Sequence, residues 1–189
     1  SPRRDYFRVL LRSLFGQQLA TKTAATLYSR FCTLFPNKRP TPSRVREVLS
    51  GGVPVEVLAW CGLSRQKRVY VLDLAVHFDE RKLPIRRLRE MSDDEIVAAL
   101  TRVKGIGVWT AQMFLLFALN RPDVWPTADL GLQEGVRDAV ALRLRPTRDE
   151  LLALGEAYRP WRSVATWYFW RGRSQAVWPR ATDATNPKS

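Results

Sequence analysis

Residues 100–117 read LTRVKGIGVWTAQMFLLF, and this stretch decides the fold. Lys104-Gly105-Ile106-Gly107 interrupts the chain, and Val108 to Leu119 then runs with hardly a polar side chain. The pattern predicts a helix, a tight glycine turn and a second, buried helix. Gly105 and Gly107 open backbone dihedrals closed to other residues. With no side chains there, an anion can approach the main chain. The amides of Gly105, Ile106, Gly107, Val108 and Trp109, at a helix N-terminus, would favour it. Lys104 adds a formal charge nearby. An ordinary helical corner that uses glycine for tightness reads the same way, so the turn alone does not decide function.

Working outward, the rest of the chain is also patterned for helices. Phe7, Leu10, Leu11 and Leu14, then Leu19, Ala24, Leu27 and Phe31, recur at helical spacing over 5–34, with Gly16 marking a turn or a close contact. Residues 36–42 (PNKRPTP) form a Pro-rich loop, and Thr41 or Ser43 caps a short helix near 43–49 that ends at Gly51-Gly52. Further helices are expected at 54–61 and at 64–79, the latter with Val69, Leu72 and Val76 inside. Ser92 caps residues 93–102, with Asp93, Asp94 and Glu95 suited to the positive helix end. After a loop at 123–128, helices follow at 129–142, 148–157 and 160–172. Strand signals are short and scarce. The fold class expected is all-α. Residues 181–189 read as a tail.

The chain has 189 residues, 46% of them hydrophobic, which suits a globular protein with a sizeable core. Its 31 Lys+Arg against 18 Asp+Glu give a net charge of +13, and 25 of the 31 are arginine, whose planar fork suits phosphate. A polyanion, nucleic acid first, is the simplest partner; an arginine-rich genome composition is the alternative. Cys32 and Cys61 are too few for a four-cysteine zinc or iron–sulfur site. His77, the single histidine, lies among apolar neighbours and reads as structural. No apolar run reaches the roughly 20 residues of a membrane span, and no signal peptide is read. A cytoplasmic, nucleoid-associated protein in a bacterium, or a nuclear one in a eukaryote, is expected.

Three motifs in order, LTRVKGIGVWTAQMFLLF at 100–117, DVWPTADLGLQ at 123–133 and YRPWRSVATWYFWR at 158–171, resemble the helix-hairpin-helix (HhH-GPD) DNA glycosylases, and within them the 3-methyladenine DNA glycosylase II branch. The resemblance covers residue 5 to about 175. It implies a two-lobed helical fold with a DNA-binding cleft between the lobes, the first approximately 25–125 and the second 1–24 plus 126–180. It also implies a monomer that acts on double-stranded DNA containing damaged bases, with no required cofactor.

The resemblance makes Asp129 the catalytic carboxylate, 20 residues after Trp109. Breaking an N-glycosidic bond builds positive charge on the deoxyribose, which a carboxylate stabilises. By itself the residue equally reads as a helix cap. Asp123, Asp138 and Asp149 lack this context and read as surface residues. Bifunctional relatives carry a lysine two residues after the second hairpin glycine, where this chain has Trp109, so hydrolysis without lyase activity is expected.

Flipped methylpurines carry positive charge and favour aromatic faces. Trp109 and Trp170 match pocket aromatics of the branch, with Tyr168 and Trp125 behind them; any one of these aromatics also reads as core. Met113 and Leu130 stand where relatives often show tyrosine, which leaves the range of lesions open. GLSRQKRVY at 62–70 resembles the loop that fills the gap left by a flipped base, with Leu63, Arg65 and Gln66 as wedge candidates. Ser64 in that loop reads equally as a helix cap. Gln17 and Gln18, in FGQQLATKTA, resemble a motif near the minor groove, or are plain helix-surface amides. The resemblance also assigns DNA contacts to Ser64, Lys67, Lys104, the hairpin residues Gly105–Trp109, and Arg162. It implies a monovalent cation, Na+ or K+, on the main-chain carbonyls of Thr101, Val103 and Ile106.

Two other readings compete. One is a non-catalytic helix-hairpin-helix DNA-binding module. The other is a glycosylase for mismatched or oxidised bases, whose members frequently hold a C-terminal iron–sulfur cluster on four cysteines.

Overall fold

The computed structural model describes residues 5–175. Their regular structure is helical, without strands among the described residues. The helices are α1 (Tyr6–Gly16), α2 (Thr21–Cys32), α3 (Pro42–Glu47), α4 (Val55–Trp60), α5 (Arg65–Asp79), α6 (Asp93–Leu100), α7 (Val108–Phe114), α8 (Leu130–Ala139), α9 (Arg148–Glu156) and α10 (Arg162–Ser174). A 3₁₀ turn covers Pro36–Lys38, and wider π-type turns cover Val48–Gly52 and Leu115–Leu119. The tail expected at 181–189 lies outside the described residues. None of the described helices is long and apolar enough to cross a membrane. The chain divides into two compact units after Phe114.

Local chemistry starts and stops the helices. Thr41, not Ser43, caps α3; its hydroxyl accepts from the Arg44 amide. Ser64 caps α5 and accepts from the Lys67 amide at 3.2 Å. Ser92 with Glu95, and Thr147 with Glu150, form capping boxes at α6 and α9. Helix α8 stops at Ala139, short of the expected 142. Ala141 turns left-handed (φ 54°), and the Leu142 amide returns to the Arg137 carbonyl at 2.9 Å. The turn after α1 falls at Gln18 (φ 61°) and not at Gly16.

In the first unit α1 packs on α2, α5 and α7, α3 packs on α5, and α6 packs on α7. Phe7, Leu10, Leu11, Leu14 and Phe15 are all buried along α1. Helix α5 departs from expectation. Its buried stripe is Val71, Leu74 and Ala75, whereas Val69 is exposed and Leu72 and Val76 are half-buried. The helix carries two apolar stripes, and contact with both α1 and α3 selects the one buried. The stretch expected to be buried, 108–119, is only partly so: Val108, Trp109 and Phe117 stand out to solvent.

The second unit is built on α8 against α10. Its core is Trp125, Leu132, Val136, Leu151 and Phe169, with Tyr158 packed against it. A Cβ on Gly135 would lie 2.7 Å from the Phe169 carbonyl oxygen, so glycine is what lets the two helices approach.

Candidate active site and hairpin

Asp129 is the N-cap of α8 and only 9% exposed. Its Oδ1 accepts the Leu132 amide at 2.7 Å, satisfying one of the donors a helix start leaves open. The same oxygen accepts Nε1–H of Trp170, on α10, at 2.8 Å. The two donors hold the carboxylate in one orientation. The approach is close: a Cβ on Gly131 would lie 3.0 Å from Asp129 Oδ1 and from Trp170 Nε1. That close approach accounts for a glycine in the first turn of α8. Gln133 steadies the loop before Asp129 by donating to the Thr127 carbonyl at 2.8 Å.

Aromatic rings continue the site. Phe117 lies nearly parallel to Trp170, with ring centroids 5.9 Å apart and 9° between planes. Trp167 meets both edge-on. Phe117 is 49% exposed, and Leu130 and Tyr168 are also exposed. Sequence reasoning missed Phe117, because nothing in a continuous apolar run sets it apart. A signal for the site existed in Gly131, whose place in a helix start asks for a reason.

Three residues expected at the DNA or the base are structural instead. Trp125 is buried. Its Nε1–H donates to the Leu151 carbonyl at 2.8 Å, and its ring stacks on Tyr158, so it is core and not pocket. Arg162 is 14% exposed in its side chain and forks onto Asp123, Nε to Oδ1 at 2.7 Å and Nη2 to Oδ2 at 3.0 Å. Burial acts to raise the Asp123 carboxyl, but the hydrogen bonds and charge of Arg162 outweigh it and hold the group below its ordinary range. Leu63 is fully buried and cannot be a wedge as it stands. Of the acids read as surface residues, Asp149 is exposed, but Asp138 is buried against the guanidinium of Arg137, with Nη2 to Oδ1 at 2.6 Å.

The first unit holds the hairpin. Gly105 has φ +84°, and a Cβ there would run into the Tyr70 ring at 2.4 Å. Gly107 has no positive φ; its role is space, since nothing lies within 4 Å of where a Cβ would be. The Ile106 amide donates to the Val103 carbonyl at 3.0 Å, closing the turn, so it is turned inward and does not serve an anion as expected. Val103 and Ile106 are buried, and Thr101 follows the last residue of α6. Lys104 and Val108 are exposed, Trp109 is 45% exposed and Met113 is half-buried.

The residues expected in two other DNA-contacting segments of this unit partly turn inward. Gln17 Nε2 donates to the Gly105 carbonyl at 2.7 Å, bracing the hairpin. Lys67 Nζ donates to the carbonyls of Phe15 at 3.0 Å and Gln17 at 3.2 Å, so its ammonium caps the end of α1 and is not offered to phosphate. Burial pushes its pKa down. Gln18, Arg65 and Gln66 remain exposed, with Gln66 Nε2 donating to the Tyr70 hydroxyl at 2.5 Å. His77 Nδ1 lies 2.8 Å from the Asp73 carbonyl oxygen, in keeping with a structural role. Among the described residues no group of three or more His, Cys, Asp or Glu could hold a metal ion.

Comparison with models of protein families gives no match. The chain is 33% identical over 171 residues to DNA-3-methyladenine glycosylase 1 of Schizosaccharomyces pombe, covering 89% of this chain and 73% of that protein. Among solved structures, it is similar to the S. pombe 3-methyladenine DNA glycosylase in complex with abasic DNA, with TM-score 0.79, 32% identity, and 92% and 83% of the two chains covered. The DNA-3-methyladenine glycosidase of Bacillus halodurans matches with TM-score 0.80 and 30% identity, over 90% of this chain and 76% of that one. The chain spans 59% and 45% of two further curated relatives.

Proposed function

The chain belongs to the DNA-3-methyladenine glycosylases of the helix-hairpin-helix superfamily, and from that premise we propose that it is a monofunctional hydrolase that excises alkylated bases, 3-methyladenine and 7-methylguanine among them, from duplex DNA. The observation that carries this reading is the Asp129 carboxylate, nearly buried at the start of α8 and fastened to the Trp170 indole at 2.8 Å.

The chemistry follows from that pairing. The lesion base is turned out of the duplex, and the Phe117–Trp170 aromatic group offers π-faces to its positive charge. The bond from C1′ to the base nitrogen breaks, and its electron pair leaves with the base, which departs neutral. Positive charge develops on the deoxyribose. Asp129, pinned by the Leu132 amide and the Trp170 indole, stabilises it without having to reorganise. A water oxygen then bonds to C1′ and gives up its proton to the surrounding solvent. An alkylated base is a good leaving group, so a carboxylate and a fitted pocket are enough.

Unit 1 supplies grip. The hairpin turn approaches a phosphate through its backbone, with open space at Gly107 and the charge of Lys104 beside it. Arg65 and Gln66, exposed at the start of α5, fill the gap left by the flipped base. The cation implied at the hairpin fits the donor chemistry: Thr101, Val103 and Ile106 offer neutral carbonyl oxygens, and Val103 keeps a second lone pair beside the Ile106 hydrogen bond. A bound Na+ or K+ would supply positive charge for a phosphate oxygen there.

The test is an excision assay on duplexes carrying single alkylated, deaminated or oxidised bases, run beside D129N. Release of methylated bases by the wild type, and none by D129N, is the expected outcome. Binding without release of any base would make the chain a DNA-binding module. An enzyme–DNA adduct trapped by borohydride would overturn the monofunctional assignment.

A further inference from the structure

We propose that Asp73 is a positioning residue for the hairpin turn, a proposal that rests on the DNA-binding reading above. Its Oδ2 accepts the Lys104 amide at 2.8 Å, across 31 positions of sequence. That amide belongs to the peptide unit whose carbonyl is that of Val103. A trans peptide is planar, with N–H and C=O directed oppositely, so fixing the Lys104 N–H also aims the Val103 carbonyl. That carbonyl accepts the Ile106 amide at 3.0 Å and closes the turn.

The neighbouring groups are held in the same manner. Tyr70, one helical turn before Asp73 on α5, floors Gly105 with its ring. Gln17 Nε2 holds the Gly105 carbonyl. His77, one turn further along α5, places Nδ1 2.8 Å from the Asp73 carbonyl oxygen and 3.4 Å from Asp73 Oδ2. Tyr70, Asp73 and His77 follow at i, i+3 and i+7 and share one face of α5.

Charge argues in the same direction. An acid beside a phosphate-binding turn opposes the field of a chain that carries +13. Asp73 is 21% exposed in its side chain and therefore not hidden from a ligand. Generic electrostatics predicts that removing its charge tightens DNA binding and that moving its oxygen with the charge kept changes nothing, whereas a positioning role predicts that moving the oxygen loosens binding.

The experiment measures binding of the full chain, over a range of salt, to a duplex with one tetrahydrofuran abasic-site analogue. Wild type is compared with D73E, D73N and the exposed-acid control D149N. D73E keeps the charge and displaces the oxygen; about tenfold weaker binding is expected, the worth of one charged hydrogen bond, with a salt slope shallower by about one phosphate contact. D73N keeps an acceptor for the Lys104 amide, and wild-type slope with equal or tighter binding is expected. D149N removes an equal charge elsewhere and reports the purely electrostatic effect. Should D73E not fold, hydrogen exchange at the Lys104 amide decides: faster in D73A than in the wild type and D73N, with the exchange of core amides in α1 unchanged.

Wild-type affinity and slope in D73E overturn the inference, as does tighter binding in every variant that loses the charge with no change of slope in D73E. A wild type that excises methylated bases while D73E matches it removes this inference alone. A wild type that neither binds nor excises removes the functional reading and this inference with it.

Discussion

The indole N–H of Trp170 and the carboxylate of Asp129 meet at 2.8 Å although they stand 41 positions apart in sequence. Asp129 Oδ1 also accepts the Leu132 amide, so one oxygen serves both as helix cap and as the anchor of an aromatic ring. The capping role and the proposed catalytic role of Asp129 are separable by substitution. Asn caps a helix about as well as Asp, whereas Ala costs about 1 kcal/mol. D129N should therefore melt close to the wild type, and D129A lower. Both should lose excision by at least about 10²-fold, with binding to abasic-site DNA retained in D129N. Thermal melts and single-turnover excision check this together.

Replacing Trp170 by Phe removes the donor and keeps an aromatic ring beside Phe117. A hydrogen bond to a charged group contributes about 1.5–3 kcal/mol. Single-turnover excision by W170F should fall about ten- to a hundredfold. A rate equal to wild type would mean that the indole only packs against its neighbours.

The two hairpin glycines should respond differently. Gly105→Ala forces a methyl group into the Tyr70 ring and keeps φ at +84°; it should lower stability by about 1–3 kcal/mol. Gly107→Ala meets open space, so stability should stay within about 0.5 kcal/mol. DNA affinity should nonetheless drop, because the methyl group occupies the path of the phosphate. Denaturant unfolding beside DNA titration separates the two effects.

The Asp123–Arg162 pair makes a pH prediction. The carboxyl is held below its ordinary range in the folded chain. Its contribution is therefore complete above the unfolded value, about pH 3.9, and is lost as pH falls through the lower folded value. R162A should destabilise the protein by about 1–3 kcal/mol at neutral pH, and the deficit should shrink in acid below about pH 4. The salt slope of DNA binding should not change, because the guanidinium is committed to Asp123.

The wedge residues divide by burial. Leu63→Ala opens a cavity at a fully buried site and should cost about 2–5 kcal/mol of stability. Arg65→Ala and Gln66→Ala, at exposed positions, should leave the melting temperature nearly unchanged. Both should slow excision more from a fully paired duplex than from single-stranded DNA, where no gap needs filling.

Much was legible from local chemistry. The caps Ser64, Ser92 and Asp129, the glycine turn at 105 and the order of helices all follow from bonds that residues make within one turn of themselves. That Asp129 and Trp170 belong to one site was legible only through resemblance, and the hydrogen bond between them was not legible at all. Phe117, Tyr70 and Asp73 carried no mark at all. Arg162, Lys67 and Gln17 read as DNA-facing through the resemblance, and each found an internal partner that sequence spacing does not reveal.

By itself, the sequence determined an all-helical chain, the approximate place of most helices, a glycine hairpin in an arginine-rich chain, and a carboxylate at a helix start. Tertiary structure alone decided which of two apolar stripes on α5 is buried, that Trp125 is core while Trp170 reaches the carboxylate, and that Leu63 and Asp138 are covered. The physical reason is range. Capping and periodicity act over three or four residues, whereas burial depends on which surface a distant segment brings, and a helix with two apolar faces does not encode which one will be met.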